Sequence, residues 1–180
     1  MFDVDNFVSD CAAALSESGS RRAVREVLSR AMAEPSSVAC SLDHTRAGLN
    51  ILYRSPELTV LNVVWAPQMS LLPHDHRMWA AIGIYAGQED NSFYRRQAEG
   101  LTISGGKELR TGEVILLGDD TIHAVSNPNR QHTGAIHIYG GDFVATPRSQ
   151  WDPETFEEQP YDLDGILKQF AAANSRAESQ

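Results

Sequence analysis

Pro73-His74-Asp75-His76 is the first segment of the chain equipped for chemistry. In a β-strand, residues i and i+2 project to one face, so His74 and His76 aim together and Asp75 aims away. Two imidazoles on one strand can hold one metal ion. The bland alternative is a pair of polar side chains on a solvated face. A second segment bears on that choice. Gly112, five residues, then Gly118-Asp119-Asp120-Thr121-Ile122-His123 reads as strand, tight turn, strand, with a histidine just past the turn. Such a hairpin can bring a third imidazole into the same interior. Three neutral imidazoles on one side of a metal leave its other positions open for substrate and O₂, as in catalytic rather than structural sites. Further on, residues 135, 137 and 139 alternate onto one face, which gives His137 and Tyr139 a shared interior.

The elements that must position these groups are legible in outline. Phe7, Val8, Cys11, Ala12 and Leu15 form an apolar stripe of helical period, ended by Gly19. Ser20 is an N-cap candidate for a second helix carrying Ala23, Val24, Val27, Leu28 and Ala31, which Pro35 closes. From about residue 38 the pattern changes to short β-forming segments separated by turn residues. They are 58–65, 78–85, 92–95, 101–104, 114–117, 123–126 and 135–139. Many short strands with no helices between them predict a sandwich or small barrel. The acidic stretch 151–164 reads as a surface wrap. Ile166, Leu167 and Phe170 predict a final helical turn or two, followed by a frayed tail. The expected organisation is a helical segment over 1–36, a β barrel over 37–147 and an acidic wrap and tail over 148–180.

Composition excludes several classes. The chain has 180 residues, with 42% hydrophobic and 22% charged, which is ordinary globular usage. A formal net charge of −9 argues against nucleic acid and against anionic membrane as partners. The two cysteines, Cys11 and Cys40, are too few for a disulfide scaffold and lack CxxC spacing. The opening Met-Phe-Asp-Val-Asp lacks the features of a secretory signal. The expectation is a cytoplasmic protein with reduced thiols, monomer or homodimer.

His74-x-His76, followed by Gly112-x5-Gly118 and by His123-x3-Asn127, resembles the two motifs of the cupins. The resemblance implies a mainly β fold: a single double-stranded β-helix (jelly-roll) barrel, here with N-terminal α-helices, holding one metal. Cupins usually have Pro-x-Gly where this chain has Gly118-Asp119-Asp120. They also carry a glutamate ligand four or five residues after the second histidine, where this chain has Ala80 and Ala81. Lack of that glutamate is similar to the thiol dioxygenases, meaning cysteine dioxygenase and the bacterial enzymes acting on 3-mercaptopropionate. The likeness extends to Ala135-Ile136-His137-Ile138-Tyr139, which resembles that family's Ser-x-His-x-Tyr, and to His44-Thr45-Arg46, which resembles its Tyr-Thr-Arg. It also takes in His74–Trp79 and Phe93–Arg96, and so covers residues 44 to 147.

The resemblance implies mononuclear Fe(II) held by His74, His76 and His123, with O₂ as co-substrate. The partner is a small thiol bearing a carboxylate, which is converted to its sulfinic acid. Tyr139 serves as hydrogen-bond donor or acid toward oxygen, and His137 holds its hydroxyl. Arg46 is the first candidate for the substrate carboxylate and Arg54 the second, against the ordinary reading of each as a surface ion pair. Trp79 walls the pocket or packs in the barrel. His44 lines the pocket mouth and His132 caps a loop. Glu89, beyond a turn, is expected to be solvated or at the barrel rim; as a metal ligand it would make an ordinary His₃Glu cupin. Two departures stand out. Ala135 removes a hydroxyl from the relay, and no cysteine near the first motif can crosslink to a tyrosine. The competing functions are a metal-binding cupin of isomerase or hydrolase type and a non-catalytic small-molecule-binding cupin.

Overall fold

Three helices open the chain in this computed structural model, which describes residues 1–98 and 100–177. They are α1 (Val4–Ala14), α2 (Ser20–Met32) and α3 (Pro35–Ser41). Asp3 caps α1 by accepting from the Asn6 backbone N–H at 2.8 Å. Two local expectations need correction. The cap residue of α2 is Gly19, at φ +80°, rather than Ser20, which is already helical. Pro35 does not merely stop a helix. It occupies the first turn of α3, where its missing N–H costs nothing.

The strands follow in order: β1 (Gly48–Arg54), β2 (Thr59–Trp65), β3 (Ser70–Asp75), β4 (Ala80–Ala86), β5 (Gln88–Gln97), β6 (Gly100–Arg110), β7 (Val114–Leu117), β8 (Ile122–Ser126), β9 (Thr133–Tyr139), β10 (Ser149–Trp151) and β11 (Glu158–Pro160). The helix α4 (Leu163–Ala177) ends the described chain. One sheet runs β1-β2-β9-β4-β7 and the other β11-β10-β3-β8-β5-β6. Consecutive strands repeatedly land in opposite sheets, as a jelly roll requires, and the pairings are antiparallel. The fold is a single cupin-type β barrel with helices at both ends.

Two cores hold it. Between the sheets lie Leu61, Val63, Trp65, Leu71, Ile82, Ile84, Val125, Tyr139 and their neighbours. On the outer face of the first sheet, Val24, Leu28 and Met32 of α2 pack on Ala81, Tyr85, Ile136 and Ile138. Strands β2 and β9 are therefore buried on both faces along their whole length, which is why they read as near-continuous apolar runs. Gly83 of β4 allows the close approach of α2: a Cβ there would lie 2.7 Å from the Met32 side chain.

The C-terminal region departs from the expected wrap. Strands β10 and β11 extend the second sheet, and Trp151 is 2% exposed. Helix α4 runs through the segment expected to fray, up to Ala177; residues 178–180 lie outside the described residues. Ile166 and Phe170 of α4 enter the inner core, and Phe170 stacks on Trp65 at 5.5 Å between ring centroids. Asn174 then clips α4 to the start of β1, exchanging two hydrogen bonds of 2.9 Å with the Ala47 backbone. No helix among the described residues is long and apolar enough to cross a membrane.

Candidate metal centre

Antiparallel pairing of β3 with β8 sets His74 directly opposite His123. His76 follows one residue beyond the end of β3. The three side chains each offer a nitrogen, and these nitrogens lie within 4.8 Å of one another. All three residues are buried, at 5, 2 and 1% exposure. Asp75 turns the other way, as alternation demands. It accepts from the Ser149 N–H at 2.8 Å and pairs with Arg77 at 2.6 Å.

The nitrogens are sorted for ligation. His74 directs Nδ1 to the Leu72 carbonyl at 3.0 Å, and His123 directs Nδ1 to Asn91 Oδ1 at 2.6 Å. Each contact places the ring proton on Nδ1 and leaves an Nε2 lone pair. His76 Nε2 and His123 Nε2 stand 3.3 Å apart. Two nitrogens each about 2.1 Å from one ion would be separated by roughly 3.0 Å at a right angle and 3.4 Å at a tetrahedral angle. His76 Nδ1 is buried with no hydrogen-bond partner among the described residues. Burial lowers the pKa of all three, His74 to about 4, so each ring is the neutral form that binds metal. Donor set, spacing and protonation all fit a single transition-metal ion.

The space beside the cluster is small, about 20 Å³, roughly what one water or ion occupies. Tyr139 and His137 line it with the three ligands. The Tyr139 ring meets the His76 ring edge-on at 5.0 Å, and its hydroxyl lies 3.1 Å from His137 Nδ1. Burial drives the Tyr139 phenol well above its ordinary pKa, so it keeps its proton.

Glu89 is the main correction at the site. It is neither solvated nor at the rim but fully buried. It is not among the grouped ligands either. Its Oε2 accepts from Trp65 Nε1 at 2.7 Å and His137 Nε2 at 3.1 Å, and its Oε1 accepts from Asn91 Nδ2 at 3.0 Å. Burial acts to raise its pKa, but His137 and the three hydrogen bonds outweigh that and hold the carboxylate ionised.

The arginines expected to reach a substrate do not line the cavity. Arg46 is exposed, ahead of β1. Arg54, at the far end of β1, forks both oxygens of Asp142 at 2.8 and 2.9 Å on the surface. Trp79 belongs to the outer core under the N-terminal helices, because it alternates with the inward Ala80, and its indole fills the space above Gly140. His44 and His132 share a separate surface groove of about 800 Å³.

The cation that does approach the cavity is Arg148, which sequence reasoning passed over. It is 8% exposed and sits over the rings of Phe143 and Tyr161 at 4.1 and 3.9 Å, both of which line the cavity. Nη1 donates to the carbonyls of Phe143 and Thr146, while Nε and Nη2 have no hydrogen-bond partner among the described residues. Its charge helps to lower the pKa values of His74 and His76. No signal short of the fold marks it, since it lies in a loop after β9 with no periodicity to place it.

No protein-family profile matches the chain. Similar solved structures include an uncharacterised double-stranded β-helix protein from Klebsiella pneumoniae, at 9% identity and TM-score 0.45 over 56% of this chain and 77% of that one. Another is an RmlC-like cupin family protein from Methanocaldococcus jannaschii, at 9% identity and TM-score 0.47 over 57% and 86%. A third is recombinant oxalate oxidase in complex with glycolate, at 16% identity and TM-score 0.42 over 47% and 42%. The strand order of its two sheets makes the chain a cupin-fold protein, and its three-histidine site suits a metal ion.

Proposed function

We propose that the protein is an Fe(II)-dependent thiol dioxygenase. It converts a small carboxylate-bearing thiol and O₂ to the sulfinic acid, RSH + O₂ → RSO₂H. The observation that carries this reading is the enclosure of three neutral imidazoles and one protonated phenol in a single cavity, with a buried guanidinium behind its aromatic wall. A bound Fe(II) would supply the redox chemistry and favour the thiolate form of the substrate. With no carboxylate among the ligands the ion keeps its full charge, which suits an anionic sulfur.

The chain's own residues do the rest. His74, His76 and His123 hold the ion. Tyr139 presents its hydroxyl to the cavity, and His137 fixes that hydroxyl. Arg148 supplies spare donors for a substrate carboxylate, in the role the sequence reading gave to Arg46 or Arg54. The apolar wall of Leu49, Leu71, Val125 and Phe143 favours a small substrate with little polar surface beyond its thiol and carboxylate.

The test is anaerobic reconstitution with Fe(II), then oxygen uptake with a panel of C2–C4 thiols and mass analysis of the products. Uptake is expected with cysteine or 3-mercaptopropionate, with a mass gain of two oxygens and no activity in His74→Ala. No uptake across the panel overturns the reading. Tight Zn(II) without activity after iron loading would then favour a non-oxygenase metal cupin. Ligand-induced stabilisation without turnover would favour a binding protein.

A further inference from the structure

We propose that Glu89 is a positioning residue that sets the proton arrangement of the metal ligand His123 and of the His137–Tyr139 pair at once. This rests on the metal-centre reading. Glu89 lies on β5, in the sheet opposite β9, yet its side chain meets His137 of β9 and Asn91 of its own strand. It is the junction of two hydrogen-bond chains. One runs Glu89–Asn91–His123. The other runs Glu89–His137–Tyr139.

An ionised carboxylate can only accept, so Glu89 dictates every proton downstream. Along the first chain, Asn91 must present its NH₂ to Glu89 Oε1. Its oxygen then faces His123 Nδ1, which must carry hydrogen, and the His123 Nε2 lone pair is directed to the cluster. Along the second chain, His137 must carry hydrogen on Nε2. In the neutral ring Nδ1 then accepts from the Tyr139 hydroxyl and fixes the phenol's rotation. Trp65 donates to the same oxygen as His137 and pins the carboxylate from a third side.

Packing alone does not call for a carboxylate here. The site is fully buried, Trp65 and His137 stand against it, and among the described residues Glu89 is the one acidic group touching either chain. Ala135 faces the same interior two residues before His137 and has no polar atom to hold that ring. The other sheet supplies the acceptor that β9 lacks.

The isosteric amide exposes the logic. Glu89→Gln can turn its oxygen to Trp65 and His137, leaving its NH₂ against Asn91. Asn91 must then flip, donate to His123 Nδ1, and drive the His123 proton onto Nε2, where it blocks ligation. Alternatively the amide turns its NH₂ to His137, and that ring must move its proton from Nε2 to Nδ1. No orientation satisfies both chains.

The experiment uses the full chain with histidine nitrogens isotopically labelled. Imidazole ¹⁵N shifts are recorded on the Zn(II) form, and Co(II) affinity is measured by competition with a chromophoric chelator. In folded Glu89→Gln, either Co(II) affinity falls about 10- to 100-fold or the His137 proton moves to Nδ1. If neither happens, the proposal is overturned. Asn91→Leu cuts the first chain alone. It should weaken Co(II) binding by a similar factor and leave the His137 nitrogens unmoved; undiminished affinity overturns the proposal even if Glu89→Gln fails to fold. Neither measurement uses thiol or O₂, so a failure of the dioxygenase reading leaves both decisive.

Discussion

A guanidinium with two idle donors is a costly thing to bury, because each lost hydrogen bond to water must be replaced. Arg148 offsets part of that cost by stacking between Phe143 and Tyr161 and by donating Nη1 to two carbonyls. What it leaves unsatisfied is a planar fork that matches a carboxylate. Replacing it should therefore discriminate between substrates. Arg148→Gln is expected to raise the KM for 3-mercaptopropionate about ten- to a hundredfold, the worth of a charge-assisted hydrogen bond. The KM for cysteamine, which has no carboxylate, should stay within about twofold. Steady-state oxygen uptake with the two thiols checks this, and equal changes for both would remove Arg148 from substrate binding.

At the scale of elements, the site depends on strands that contribute side chains two residues apart. Strand β3 ends on His74 and Asp75 with His76 one residue beyond, β8 meets it in register at His123, β9 carries His137 and Tyr139, and β5 carries Glu89 and Asn91. Helix α2 braces this barrel from outside, and its closest approach is over Gly83. A side chain there meets Met32 and Leu28 and must push the helix off the sheet. Gly83→Val is expected to cost about 1–3 kcal/mol by overpacking, read as a lower urea midpoint with an unchanged m-value. Because α2 lies on the outer face, its metal affinity should persist. Loss of metal binding in the folded variant would show that the outer core also shapes the cavity.

For the molecule as a whole, three imidazoles held neutral and convergent form a preformed site that the unfolded chain lacks. Metal binding is then linked to folding. Metal at about a hundred times its Kd should add about 2.7 kcal/mol of stability, an increase of roughly 5–10 °C in Tm for a chain of this size. Thermal scans of metal-free and Co(II)-loaded protein measure it, and His123→Ala should abolish the increase. An equal increase in that variant would place the bound ion elsewhere.

Some of this was decided by the sequence alone. Period-2 alternation put His74 and His76 on one face and Asp75 on the other, paired His137 with Tyr139, and separated the helical start from the β region. Those are properties of a residue and its near neighbours, and backbone geometry transmits them without reference to the rest of the fold. The turn before His123 likewise made a third ligand on another strand expected. What alternation cannot say is which distant segments meet. Arg46 and Arg54 have the right chemistry but belong to an edge strand and its approach, where they end at the surface. Tyr161 lies beyond the last barrel strand, in a segment with no periodic signal, yet lines the cavity, with the Arg148 guanidinium stacked behind its ring. Glu89 looked solvated because it follows a turn and sits among polar residues. Only the facing of two sheets shows that its side chain crosses the interior, where three donors make a buried charge tolerable.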